Sequence, residues 1–152
     1  MWIDTLTREQ CVDVLGRNHV ARLACARDGQ PYVVPVSYAF AENYLYGMST
    51  PGRKIDWMRS NPLVCVEVHE RVGDRGWRSV VVDGLFEELS DTPRRQHERE
   101  FAWSLLSRQA NWWEPGGLEL DPAGLAPATP HLFYWIRIDV MTGRSAVDTA
   151  AP

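Results

Sequence analysis

Apolar residues recur along this chain with two different periods. Between Thr7 and about Gly16, Cys11, Val14 and Leu15 fall at helical spacing, and Thr7 with Gln10 forms a capping box, which predicts a first helix that covers one end of a sheet. From His19 the period shortens. His19 to Ala26, the turn Arg27-Asp28-Gly29-Gln30 and Pro31 to Phe40 predict a β-hairpin, and a second turn at Ala41-Glu42-Asn43 leads into Tyr44 to Met48. Turns this short force antiparallel neighbours. A short helix follows, stopped by Asn61-Pro62, and then two long strands, Leu63 to Val72 and Trp77 to Leu89, linked by Gly73-Asp74-Arg75-Gly76. Val80-Val81-Val82 is an unbroken apolar run, as expected of a strand buried on both faces in a barrel wall or a dimer contact. Thr92-Pro93 opens a third helix running to about Ser107, and a Pro- and Gly-rich loop from Gln109 to Pro130 carries Trp112 and Trp113. These tryptophans either lid a pocket or pack over a core edge. The last strand, His131 to about Thr142, puts Leu132, Tyr134, Ile136 and Ile138 on one face and His131, Phe133, Trp135, Arg137 and Asp139 on the other; the tail after Gly143-Arg144 is expected to fray.

Antiparallel strands with a few helices at their ends predict a mainly β (α+β) domain, a small barrel with helical caps, since closing the sheet removes its edges. The chain's 152 residues, 45% of them hydrophobic, suit a single domain over 1–152. A formal net charge of -4 argues against a broad grip on nucleic acid or an anionic membrane, so any anion site must be local. No apolar run is long enough to span a bilayer and Met1-Trp2-Ile3-Asp4 lacks the pattern of a secretory signal, so a cytoplasmic protein is expected. Cys11, Cys25 and Cys65 lack metal or redox spacing and read as small buried hydrophobes, and His19, His69, His97 and His131 show no ligand spacing; no metal is expected.

The candidate chemistry lies in Ser49-Thr50-Pro51-Gly52-Arg53-Lys54, where a strand ends and the short helix begins. With Ser49 or Thr50 as N-cap and Pro51 at the first helical position, two hydroxyls, free backbone N–H groups and two cations converge on one helix N-terminus. Such a place attracts phosphate. The alternative is a capped surface helix carrying an Arg-Lys pair; the spacing is not that of a nucleoside-triphosphate loop. Upstream, Pro35 interrupts Val33-Val34-Pro35-Val36-Ser37-Tyr38, where it marks an edge, a bulge or an opened ladder whose free main-chain groups could bond a flat, polar-edged ligand. Arg78, after Trp77, is either a solvated charge or a second cation for the phosphate.

In this order the motifs resemble the pyridoxamine 5′-phosphate oxidase-like family of FMN-binding split β-barrels, in particular the branch that includes nitroimidazole-resistance proteins. The residues that carry the resemblance are 20–24, Gly29 to Tyr38, Pro51 to Asp56, Asn61 to Val68, Trp77 to Val80 and Met141 to Arg144. The resemblance implies a homodimer with two FMN molecules at its interface. Ser49, Thr50, Arg53 and Lys54 would hold the phosphate, Pro35, Val36 and Ser37 would lie along the isoalloxazine, Trp77 and Arg78 would approach from following strands, and Arg144 is a further cofactor-binding candidate. It also implies an oxidoreductase that passes hydride or electrons from a reduced donor such as NAD(P)H to a small organic acceptor. The rival readings are a non-catalytic binder of flavin or another phosphorylated ligand, and a deazaflavin- or haem-binding member of the same fold. No catalytic residue stands out. Gly47-Met48 occupies a position where some nitroimidazole-resistance members carry histidine, and Tyr134-Trp135-Ile136-Arg137 replaces the substrate-binding pattern of the true oxidases, so vitamin B6 synthesis is not expected.

Overall fold

A computed structural model describes residues 2–109 and 131–147 of the chain. The expected loop with Trp112 and Trp113, and the tail beyond Val147, lie outside the described residues. Eight strands form one antiparallel sheet: β1 (Trp2–Thr5), β2 (Val20–Arg27), β3 (Gln30–Ser37), β4 (Ala39–Ala41), β5 (Tyr44–Ser49), β6 (Leu63–Val72), β7 (Gly76–Leu89) and β8 (Leu132–Val147). Along the ladder they run β3-β2-β6-β7-β8-β5-β4, with β1 pairing β8 from the side. The two ends of this path meet through the chain itself, because β3 runs into β4 across Tyr38. The single strand expected from Pro31 to Phe40 is therefore two: it pairs β2 as far as Ser37 and β5 from Ala39 onward. Between β3 and β5 there is no ladder, which makes the barrel a split one.

The hairpin turn Asp28-Gly29 has both residues at positive φ (50° and 78°), as a tight two-residue connection between twisted strands requires. Pro35 sits on β3, the terminal strand of the path, where a missing N–H on the open side costs no ladder bond. Alternation divides the sheet cleanly. Leu23, Val66, Val80, Val82, Ile136 and Tyr134 fill the barrel, while Phe133 and Tyr46 on the outer face pack under Leu106 and Ala102 of the third helix.

Helix α1 (Arg8–Arg17), with the capping box of Thr7 and Gln10, buries Cys11, Val14 and Leu15 and closes one end of the barrel. Helix α2 (Arg53–Ser60) buries Ile55 and Met58 and is fixed by a bidentate bond from Arg59 to Glu88 on β7 (2.9 and 2.7 Å). The third helix begins later than Pro93: Pro93–Arg95 is a 3-10 turn and α3 spans Gln96–Leu106. The last strand passes through Gly143 instead of ending near it. A Cβ there would lie 2.6 Å from Cys11 Sγ, so this glycine admits α1 against the sheet, and the strand continues to Val147 with β1 on its flank. Strand β1 was not expected, since its four residues, Trp-Ile-Asp-Thr, show no alternation. Cys65 is not buried as its fellow cysteines are; it is half-exposed on the outer face beside Asp83.

Candidate functional site

The N-terminus of α2 differs from expectation in a way that bears on anion binding. Ser49 stays in the β5 ladder opposite Leu132, and its hydroxyl donates to the Thr50 carbonyl (2.7 Å) instead of capping the helix. A residue before proline is held extended, so the chain turns only after Thr50, and Gly52, not Ser49 or Thr50, is the N-cap; Pro51 lies outside the helix. Gly52 has no side chain with which to cap α2. The first turn, with Arg53 and Lys54, stands at the positive end of the helix dipole.

Two tertiary contacts bring this turn against β3. The Arg53 guanidinium lies over the Tyr32 ring (5.1 Å to the centroid) and near the Trp57 ring (6.0 Å). At the other end, Ala39 opposes Tyr46 in the β4–β5 ladder, so two residues back Ser37 stands level with Met48 on the far side of the split. The segment from Met48 to Arg53 therefore runs along the open edge of β3 from Ser37 to Tyr32. Pro35 and Ser37 share the outer face with their β2 partners Arg22 and Val20, whereas the Val36 side chain is buried in the core and offers the split only its main chain. The structure brings together Pro35, Val36, Ser37, Ser49, Thr50, Arg53 and Lys54.

Trp77, Arg78 and Arg144 are elsewhere. They sit at the far end of β7 and β8, with Arg78 opposite Ser145 and Ser79 opposite Arg144. From Leu132, the partner of Ser49, to Ser145 is roughly 40 Å of strand at about 3.3 Å per residue. Trp77 stacks on His69 (6.1 Å) on the outer face. Arg78 points to the opposite side, 3.7 Å from Glu70 and beside a cavity of about 440 Å³ lined by Asp4, Thr5, Gln10 and Ser145.

Glu70 is the anchor of that end. It accepts from Arg17 Nε (2.9 Å) and Asn18 Nδ2 (2.8 Å), and the Arg17 bond holds its carboxyl below the usual 4.5 against the opposing effect of burial, with Asn18 and the Arg78 charge helping. A carboxyl lowered in the folded state contributes stability that is complete above its ordinary value and is lost as pH falls through the folded one. Glu70→Gln is accordingly expected to cost about 1–3 kcal/mol at neutral pH. Urea midpoints at pH 7 and pH 3 check this: the gap between wild type and variant should narrow at pH 3, and an equal gap at both values would count against the pairing.

One signal was not visible in the sequence. Four buried side-chain atoms have no hydrogen-bond partner among the described residues: Ser37 Oγ, Gln109 Oε1 and both ring nitrogens of His131. All belong to residues beside the split. Gln109 donates through Nε2 to the carbonyl of Tyr38, the residue after Ser37 (3.0 Å), and His131 directly precedes Leu132, which pairs with Ser49. Buried polar atoms are nearly always satisfied, so a group of orphans beside a cationic turn fits a polar ligand with a phosphoryl group.

The chain is similar to known proteins over almost its whole length. The family model described as pyridoxamine 5′-phosphate oxidase matches residues 7–145. An uncharacterized protein of Rhizobium meliloti (strain 1021) is 49% identical over 146 residues, 96% of this chain and 97% of the relative. A crystal structure of a FAD-binding protein from Mesorhizobium loti, 49% identical, superposes with a TM-score of 0.81 over 97% of this chain and 100% of that one. A candidate 5-nitroimidazole antibiotic resistance protein from Bacteroides thetaiotaomicron shares the fold at 21% identity (TM-score 0.68, covering 95% of this chain and 89% of that one).

Proposed function

Given that this chain belongs to the pyridoxamine 5′-phosphate oxidase family, we propose that it binds a flavin nucleotide in the split between β3 and β5 and acts as an oxidoreductase. The observation that carries this reading is the conjunction at the split: a helix N-terminus bearing Arg53 and Lys54, with buried polar atoms on Ser37, Gln109 and His131 that have no partner among the described residues. Arg53, already laid over Tyr32, presents a planar fork to a phosphoryl group, and Lys54 adds a second charge. Ser49 and Thr50 supply hydroxyl and main-chain groups at the same turn. Pro35 to Ser37 present the open edge of β3 to the ring. FMN, and the FMN half of FAD, carry the same ring and the same first phosphate; the 49% identical relative, described as FAD-binding, makes FAD the second ligand to test beside FMN.

When bound, flavin supplies reversible hydride and electron transfer, while the protein positions it and excludes water. The donor is a nicotinamide and the acceptor a small organic molecule. The distance along β8 supports a homodimer, provided that Trp77, Arg78 or Arg144 contacts the flavin. One flavin held at the split can meet Trp77, Arg78 or Arg144 only if a second chain brings them, since in one chain they lie at the other end of the longest strand. The surface for such a partner is the outer face of β2, β3, β6, β7 and β8 that α3 leaves uncovered. It exposes Val20, Val33, Leu63 and Val140, and half-exposes Val81, whose neighbours Val80 and Val82 are fully buried in the barrel. Among the described residues nothing covers the outer side of Val81, which supports a partner chain there.

An absorption spectrum tests the function. Protein equilibrated with FMN or FAD and freed of excess should be yellow, and its flavin bands should bleach with NAD(P)H and return with an acceptor. Retained colour without bleaching would make it a flavin carrier; a haem or deazaflavin spectrum in the protein as isolated would replace the cofactor.

A further inference from the structure

We propose that the cavity beside Arg78 binds a small zwitterion of the amino-acid class, its carboxylate on Arg78 and Ser145 and its ammonium on Asp4. The cavity measures about 440 Å³, within the roughly 300–1,000 Å³ range of small-molecule sites, and is lined from β1, α1, β7 and β8. Strand register builds one wall of it. Asp4 opposes Ser145, Ser145 opposes Arg78 and Arg78 opposes Glu70, so these four residues form one row across β1, β8, β7 and β6. Directly opposed side chains share a face. Among the described residues Glu70 is the one group paired with the Arg78 guanidinium, at 3.7 Å and without a hydrogen bond, and Arg17 already answers the Glu70 charge through both carboxylate oxygens. The fork of Arg78, its side chain 35% exposed, thus keeps its donors for another acceptor. Ser145 repeats the pattern: it is only 6% exposed, it lines the cavity, and its hydroxyl has no hydrogen-bond partner among the described residues. A buried hydroxyl beside a guanidinium with unused donors receives a carboxylate, which recovers the free energy lost while both stay unmet. The other side of Ser145 carries the opposite charge. Asp4 is exposed at the rim, and among the described residues no cation pairs with it. It repels a simple anion and attracts a molecule whose far end is an ammonium group. Neighbouring strands lie about 4.8 Å apart, so Asp4 and Arg78 stand roughly 10 Å apart at the backbone, a gap that their side chains and a short molecule close together. Arg78 points away from the outer face of Trp77, so this site is separate from the split and stands whether or not a flavin binds there.

The discriminating probes are 4-aminobutyrate, butyrate and butylamine, which share a four-carbon chain and differ in their charged ends. Calorimetric titrations of the full chain should show 4-aminobutyrate binding at least about tenfold more tightly than either singly charged compound, since each of those lacks one charge-assisted contact. Arg78→Met should weaken 4-aminobutyrate by about tenfold or more. Asp4→Asn, at an exposed position, should bring it down to the affinity of butyrate, and serves as the test if the Arg78 variant fails to fold. Saturating FMN should leave 4-aminobutyrate binding in place. The proposal is overturned if wild type binds none of the three at millimolar concentration, if butyrate binds as tightly as 4-aminobutyrate, or if the folded variants bind 4-aminobutyrate like wild type. Displacement by FMN overturns it too, because the cavity would then belong to the flavin site, whose reading would survive. Wild-type protein that binds 4-aminobutyrate but no flavin upholds this site and overturns the flavin reading alone.

Discussion

An Arg53→Ala/Lys54→Ala variant is expected to bind FMN a hundredfold to ten-thousandfold more weakly than the wild-type chain. Each charge-assisted bond to a phosphoryl oxygen contributes roughly 1.5–3 kcal/mol, and every 1.4 kcal/mol is about a factor of ten. Two features place this variant at the centre of the site. The helix dipole adds to both charges because they occupy the first turn of α2, and the Arg53 fork is restrained by its position over Tyr32 and Trp57. Removing Arg53 also removes its packing on those rings, so thermal melts of the free protein must accompany the titration. Riboflavin separates the two effects. It lacks the phosphate, and its affinity should change little; a variant that loses FMN and riboflavin equally has lost the shape of the split, and one that retains FMN refutes the phosphate assignment.

If the chain forms the proposed homodimer, Val81→Asp is expected to make it monomeric and to release flavin as a consequence. Val81 sits in the middle of the outer face between Glu67 on β6 and Thr142 on β8, with the exposed Val140 a diagonal step away. Its half-exposed side chain faces away from the core, and the barrel interior is supported by Val80 and Val82, so the substitution leaves folding within reach. Within one chain the new carboxylate lies directly opposite Glu67, an arrangement that costs less than about 1 kcal/mol on a solvated sheet face. Buried under a second chain it would be an unpaired charge, which costs several kcal/mol. Sedimentation velocity reads the association state and a flavin titration reads the site. A monomeric variant with wild-type flavin affinity would show that one chain builds the whole site and that Trp77, Arg78 and Arg144 have no part in it.

Much of this organisation was legible in the sequence because it is written in local patterns. The capping box at Thr7, the Asp28-Gly29 turn, the helical spacing of Cys11, Val14 and Leu15, and the alternation from Leu132 to Ile138 each declare an element through neighbours a few residues apart. What was missed depends on contacts distant in sequence. Gly143 looks like a strand stop, yet it stands in mid-strand because α1 packs against it; Gly47 is likewise reserved for the Tyr134 ring, which a Cβ would meet at 2.2 Å. The break at Tyr38 leaves no trace in the pattern, since a strand that changes partners keeps its alternation. Ser49 and Thr50 looked like caps because their chemistry suits a cap, but the β5 ladder holds the first and the following proline keeps the second extended. The candidate site shows the same division. Its cations could be read from Arg53-Lys54, whereas Gln109 and His131 are drawn to the split only by the ladder and the hydrogen bonds that set them there.

The most direct measurement is a crystal structure of the protein saturated with FMN. The expected result is a phosphate at the first turn of α2 within hydrogen-bond distance of Arg53 and Lys54, the ring along the open edge of β3, and the partner subunit closing the outer face. A phosphate bound elsewhere, with the α2 turn left in solvent, would contradict it.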